Sequence, residues 1–244
     1  MRKSLYFLYQ WFVYVPFLVI LTILVAGSGI LFTIAFQPKR GFLYSVIVWV
    51  KLLCYATLSG VTVKGRENIN PRQSYVFVSN HQGAFDIFLI YGFLHSNFRW
   101  IMKKELRQIP LVGKLCEMIG HIFIDRSSMH SIMETLERAK KSLSNGVSVV
   151  VFPEGSRTHT GKVGTFKRGA YQLAIDLQIP IVPLTIDGAF EVLNRDSNVM
   201  SPGHFNLTIH PPISTEGLTP SDINRLINET RATIISALPD TYKE

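Results

Sequence analysis

Ser79-Asn80-His81-Gln82-Gly83-Ala84-Phe85-Asp86 is the stretch from which the rest of the chain can be read. The run before it, Tyr75-Val76-Phe77-Val78, is apolar and β-branched and reads as a buried strand. The run after it, Ile87-Phe88-Leu89-Ile90-Tyr91, reads as a helix. A histidine is thus delivered at the carboxyl end of a strand, with a carboxylate five residues later in the first helical turn. Open α/β sheets place their chemistry at that edge. An imidazole near neutral pKa can take a proton from an alcohol. A carboxylate on its other nitrogen would fix the tautomer and stabilise the imidazolium. His81 and Asp86 are therefore the candidate catalytic pair. The competing reading makes Asp86 an early-helix acid facing the helix dipole and His81 a turn residue, so the other segments must decide.

Further strands are expected at 61–63, 75–79, 98–102, 121–125, 147–152, 181–186 and 205–210. Helices are expected at 84–94, 104–118, 128–144, 167–177 and 219–237, the last opened by Thr219-Pro220-Ser221-Asp222. Strands alternating with helices argue an α/β fold with a mostly parallel central sheet covered by helices.

Upstream the pattern changes. Trp11 to Phe36 carries no charged residue. As a helix it would be about 39 Å long, enough to cross a hydrocarbon core of about 30 Å. Pro16 and Gly27-Ser28-Gly29 are places where it would bend. After a polar break at Gln37-Pro38-Lys39-Arg40-Gly41, a second apolar run from Phe42 to Leu58 is interrupted by Lys51. The expectation is an N-terminal two-helix membrane hairpin over 1–60, preceding an α/β domain over 61–244. Arg2-Lys3 and Lys39-Arg40 are equally basic, so charge does not decide between a hairpin that spans the bilayer and one that sits in a single leaflet.

The net charge is +8, with 47% hydrophobic residues and a mean hydropathy of +0.22. Residues 1–60 hold Arg2, Lys3, Lys39, Arg40 and Lys51 and no Asp or Glu, so most of the excess lies in the apolar part. That points to anionic headgroups rather than to nucleic acid. A membrane location with the domain on the cytoplasmic face is the expectation. Two cysteines, Cys54 and Cys116, do not make a disulfide framework.

Phe152-Pro153-Glu154-Gly155-Ser156-Arg157 follows the most apolar strand and should reach the same edge as His81. Gly155 lets backbone N–H groups approach a ligand. Arg157 offers a planar fork that fits a phosphate. Glu154 would accept from a substrate hydroxyl or hold Arg157; a salt-bridged surface loop is the alternative. Lys103 and Lys104, and likewise Lys167 and Arg168, would add point charge or cover a solvated helix face. One proton acceptor, several cations and an apolar hairpin suggest a substrate with a hydroxyl, a phosphate and a lipid tail.

Four ordered blocks resemble the glycerolipid acyltransferase family, and within it the 1-acylglycerol-3-phosphate acyltransferases. They are Asn80-His81-Gln82-Gly83-Ala84-Phe85-Asp86 (NHxxxxD), Lys103 to Gly113 with Ile124-Asp125-Arg126, Phe152-Pro153-Glu154-Gly155-Ser156-Arg157 (FPEGxR), and Ile181-Val182-Pro183-Leu184. The resemblance implies His81 as general base and Asp86 as its orienter. It implies a phosphate site of Arg157 with Lys103 or Lys104, shaped by Glu154 and Gly155. It further implies acyl transfer from acyl-CoA or acyl carrier protein to the sn-2 hydroxyl of lysophosphatidate, with no metal or cofactor. Another lyso-lipid acceptor, such as a lyso-aminolipid, is the nearest alternative. A hydrolase or a non-catalytic membrane scaffold is more distant.

Overall fold

The computed structural model describes residues 3–36, 39–110, 112–125, 128–143 and 146–243. Leu111, Arg126, Ser144 and the Gln37-Pro38 part of the polar break lie outside the described residues. The strands are β1 (Gly60–Lys64), β2 (Val76–Ser79), β3 (Phe98–Lys103), β4 (Ile122–Ile124), β5 (Ser148–Val151), β6 (Ile181–Asp187) and β7 (His204–Ile209). The helices are α1 (Lys3–Tyr9), α2 (Val15–Phe36), α3 (Lys39–Ala56), α4 (Phe85–Phe93), α5 (Val112–Ile119), α6 (Met129–Ser142), α7 (Gly169–Leu177), α8 (Ala189–Val192) and α9 (Ile223–Ser236).

The strands form one sheet in the order β1-β7-β6-β2-β5-β3-β4. All neighbours pair in parallel except β6 and β7, so β7 and β1 run against the other five. The mostly parallel α/β expectation therefore holds. β2 sits between β6 and β5. It is buried along its whole length, because Phe77 faces one layer and Val76 and Val78 the other. Continuous apolar strands of this kind need cover on both faces. On the Phe77 face the core includes Leu89, Ile90, Leu184, Ile186 and Phe205. On the opposite face Val76, Val78 and Val149 pack with Leu173 and Ala174 of α7 and Leu226 and Ile234 of α9.

The helix expected over 104–118 is two elements: a 3-10 turn over Lys104–Gln108, then α5. Pro110 disfavours a helical Ile109, which is extended at ψ 120°. The short α8 and the reversal of β7 have no counterpart in the hydropathy pattern. α9 is entered as Thr219 suggested, with a capping box closed by Asp222.

In the N-terminal segment the irregularity falls earlier than Gly27: Gln10–Tyr14 forms a π-helical turn between α1 and α2. Pro16 lies just beyond and has no amide to return to Phe12, which explains a locally re-registered ladder. Ser4–Gly29 is long and apolar enough to cross a membrane, with a mean hydropathy of 2.2 and only 17% of that stretch buried. Its exposed face carries Phe7, Trp11, Phe12, Ile20 and Leu24. The second apolar run is helical too, but its described apolar stretch is the shorter Ser45–Ala56. α3 buries Val46, Val50, Leu53 and Cys54. Lys51, the interruption in that run, lies over the Phe93 ring of α4 at 5.3 Å. Tyr6 and Tyr9 donate to the carbonyls of Thr57 and Ala56, tying α1 to the end of α3.

Candidate active site

β2 ends at Ser79, and Asn80 turns the chain out of the sheet. The Asn80 side chain is buried and continues the ladder in place of backbone: its Nδ2 donates to the Ile186 carbonyl and its Oδ1 accepts from the Ile186 amide, each at 2.8 Å. This fixes the loop that presents His81. Gly83 is required here because a Cβ would come within 2.8 Å of the Ala189 and Leu193 carbonyls.

His81 Nδ1 lies 2.7 Å from Asp86 Oδ2. Asp86 is fully buried, and the same oxygen accepts from the Gly83 amide at 2.9 Å. An ionised carboxylate only accepts, so Nδ1 carries the proton, and in the neutral form of the ring Nε2 is the nitrogen with a free lone pair. The His81 side chain retains 15% exposure. Its ring stacks on Phe152 with centroids 4.0 Å apart and planes at 9°. Phe152 stacks in turn on Trp100 at 5.4 Å. The imidazole is thus gripped at one nitrogen and supported on one face.

The Glu154 carboxylate bridges two backbone amides rather than reaching Arg157. Oε1 accepts from His81 N–H and Oε2 from Gly164 N–H, both at 2.9 Å. Burial pushes its pKa up, and the two amide donors oppose that shift. Gly155 follows at φ +79°, a left-handed geometry that glycine tolerates, and its amide closes a turn on the Phe152 carbonyl. The Thr158 amide donates to the His81 carbonyl at 2.9 Å. Arg157 is therefore next in sequence to a residue bonded to the histidine's own backbone. The Arg157 side chain is half-buried. Among the described residues its guanidinium has no hydrogen-bond or ion-pair partner.

The two lysines differ. Lys104 is paired with Asp125 at 2.7 Å, which holds its ammonium above the ordinary lysine pKa. Lys103 ends β3, exposed and without an ion-pair partner among the described residues. β3 lies beside β5, so Lys103 leaves the sheet one strand away from Phe152. Lys167 and Arg168 sit just ahead of α7, and the Lys167 amide donates to the Pro153 carbonyl. A polar cleft of about 330 Å³ at the β1–β7 edge, lined by Thr62, Lys64, Asp187 and Asn206 among others, shares no residue with this site.

His81, Asp86, Glu154, Gly155 and Arg157 are thus brought together, with Lys103 on the flank and Lys104 committed elsewhere. Asn80 and Phe152 lie inside the blocks read from sequence, but their roles as ladder substitute and ring support depend on partners more than seventy residues away in the chain.

Known proteins resemble this chain in sequence and in fold. Residues 60–187 match the family model described as Acyltransferase. Mouse 1-acyl-sn-glycerol-3-phosphate acyltransferase alpha is 36% identical over 178 residues, 72% of this chain and 62% of that protein. Chloroplastic 1-acyl-sn-glycerol-3-phosphate acyltransferase LPAT1 of Arabidopsis thaliana is 30% identical over 226 residues, 91% of this chain and 60% of that protein. The chain therefore spans about three fifths of the length of these curated relatives. The crystal structure of the 1-acyl-sn-glycerophosphate (LPA) acyltransferase PlsC from Thermotoga maritima aligns with a TM-score of 0.79 at 27% identity, covering 96% of this chain and 95% of that one. The family match runs from the start of β1 to the end of β6, enclosing the His81–Asp86 pair, the Glu154 brace and Arg157, and over that majority of its length the chain belongs to the acyltransferase family.

Proposed function

We propose that this chain transfers a fatty acyl group from an acyl thioester, acyl-CoA or acyl-ACP, to the sn-2 hydroxyl of 1-acylglycerol-3-phosphate, giving phosphatidic acid. The observation that carries the reading is the buried Asp86 carboxylate on His81 Nδ1, at the sheet edge where the Arg157 loop bonds the His81 backbone. The relatives named 1-acyl-sn-glycerol-3-phosphate acyltransferase, and the PlsC structure, support it.

His81 Nε2 takes the proton of the acceptor hydroxyl as its oxygen attacks the thioester carbonyl. The C–O bond forms and the C–S bond breaks. The proton held at Nε2 passes to the departing sulfur, returning the imidazole to its starting state. Asp86 stabilises the imidazolium in between. Arg157, with Lys103, holds the acceptor phosphate, which fixes the hydroxyl relative to the imidazole and converts a collision into an intramolecular event. Lys104 is assigned to its pair with Asp125, and Glu154 and Gly155 shape the phosphate loop from behind. The reaction as proposed draws on no metal or cofactor.

Residues 1–60 serve as the membrane anchor and 61–244 as the catalytic domain, which works at the cytoplasmic face. The exposed apolar face of Ser4–Gly29 supports the anchor, and a lipid held in the bilayer then meets the site without leaving it. The test is incubation of the purified full chain in detergent with lysophosphatidate and acyl-CoA or acyl-ACP, followed by mass analysis of the lipid. Formation of phosphatidate, dependent on His81, is expected. Thiol release without acceptor, or faster acylation of a lyso-aminolipid, would overturn the assignment. Release of the protein from membranes by carbonate wash would overturn the anchor.

A further inference from the structure

The loop after α8 is bonded at both ends to elements that function requires. At one end, Arg195 Nη1 donates to the carbonyl of Arg157 at 3.0 Å, and Asp196 Oδ2 lies 2.8 Å from His159 Nδ1. At the other end stands Gln10, a polar residue inside the π-helical turn of the apolar N-terminal helix and only 4% exposed. Its Nε2 donates to the Asn198 carbonyl at 2.6 Å, and its Oε1 accepts from the Met200 amide at 2.8 Å. A glutamine is costly on an otherwise apolar helix unless both ends of its amide are met. Both are met by this one loop. Between the ends, Ser197 Oγ bonds backbone at Val199, and Asp196 N–H bonds the Asn194 side chain, so the loop is stiffened internally.

We propose that residues 194–200 form a strut that sets the depth of the Arg157 guanidinium relative to the bilayer, with Arg195 as the positioning residue at the site end and Gln10 as the footing in the membrane helix. A lysolipid held in a leaflet presents its phosphate at a defined height, and the cation that receives it must be held at the same height. Arg157 has no side-chain partner among the described residues to do this, so its register rests on its backbone. Arg195 grips that backbone, and Gln10 connects the grip to the helix whose depth the lipid sets. The inference rests on the proposed role of Arg157.

The test uses the full chain in vesicles containing lysophosphatidate, with Arg195→Met, Arg195→Lys, Gln10→Leu and Arg157→Ala measured together. Arg195→Met and Gln10→Leu should each raise the acceptor KM about tenfold while leaving the thioester KM and the pH profile of kcat in place. Arg195→Lys should recover part of the loss, since an ammonium can also donate to a carbonyl. In the background of Arg157→Ala, Arg195→Met should have no further effect, because it acts through Arg157. An additive loss would show instead that Arg195 acts independently of Arg157 and would overturn the strut. So would an unchanged acceptor KM in Arg195→Met while Arg157→Ala raises it. An unchanged KM in Arg157→Ala would sink the phosphate reading itself. If Gln10→Leu does not fold, Asp196→Ala, which removes the acceptor for His159, tests the same loop from its other side, with a smaller rise in acceptor KM expected and no change overturning the strut.

Discussion

Around His81, contacts come from within the chain: Asp86 holds Nδ1, Glu154 the backbone amide, Thr158 the carbonyl, and Phe152 one face of the ring. Around Arg157 only the backbone is held, by Arg195 at the carbonyl and through the Thr158 amide next in sequence, while the guanidinium is left without a partner among the described residues. On the roles proposed for them, the difference follows from what each group must do. A general base works only within hydrogen-bond reach of one proton and in one tautomer, so its geometry must exist before the substrate arrives. An anion-binding fork receives its partner with the substrate. A guanidinium already paired to a carboxylate would have to give up that pair first.

The largest expected effect lies on the preorganised side. His81→Ala should lower kcat by about two to four orders of magnitude, the usual contribution of a positioned base, with membrane binding unchanged. Asp86→Asn should approach the same loss, because the two act as a unit and an amide at that site no longer enforces the Nδ1–H tautomer. Steady-state kinetics at saturating substrates measure both; a loss below tenfold in His81→Ala would mean the fixed histidine is a structural turn residue after all. On the other side, Arg157→Ala should act on binding. A charge-assisted hydrogen bond contributes about 1.5–3 kcal/mol, so the acceptor KM should rise by about ten- to a hundredfold with the thioester KM little changed. If kcat falls instead and KM stays, the two halves of the site do not divide the work in this way.

That division was only half legible in the sequence. His81 and Asp86 are five residues apart on a strand–turn–helix unit, so local periodicity places them on one turn. Arg157 follows a strand so apolar that its edge could be inferred. What lay beyond reach were the contacts made across the sheet. Glu154 reads in sequence as an acceptor for a substrate hydroxyl or a brace for Arg157, and in the fold its oxygens meet the amides of His81 and Gly164. Arg195 and Gln10 carry no local signal: one lies in an exposed loop, the other in an apolar helix, and their partners are 38 to 190 residues away. The order β1-β7-β6-β2-β5-β3-β4 was hidden for the same reason, since pairing is non-local. The break within 104–118, by contrast, has a local cause in Pro110.

The support beneath the fixed side has a pH limit. Trp100, which backs Phe152 and through it the His81 ring, donates its amide to His121 Nδ1 at 3.3 Å, and Tyr91 bonds Nε2. Burial, with Arg99 nearby, lowers the His121 pKa to about 3. In the unfolded chain this histidine titrates near 6.5. Its contribution to stability is therefore fully present above about pH 6.5 and is lost as pH falls toward 3, because only the unfolded state takes up the proton. The slope is at most about 1.4 kcal/mol per pH unit over that window. Urea melts of wild type and His121→Phe at pH 7, 5.5 and 4.5 should show a shallower pH dependence in the variant, whatever its absolute stability. Parallel slopes would mean that His121 is protonated in the folded protein and that the stack rests on something else.

The smallest effect separates the two lysines, and it tests whether prior commitment to a partner is the right criterion for the cation side. Lys104 and Asp125 are about half and one-third exposed, and a pair of that kind contributes little to stability. Lys104→Ala should therefore leave the acceptor KM within about twofold, a change worth less than about 0.5 kcal/mol. Lys103 ends its strand with its charge uncommitted among the described residues. A point charge near 4 Å in a water-like dielectric contributes about 1 kcal/mol, so Lys103→Ala should raise the acceptor KM about fivefold, and the rise should shrink as salt is added. The ratio between the two variants carries the argument more than either value. Equal rises would mean that the Lys104–Asp125 pair opens to receive substrate, and an uncommitted side chain would then no longer distinguish the cations that bind from those that brace.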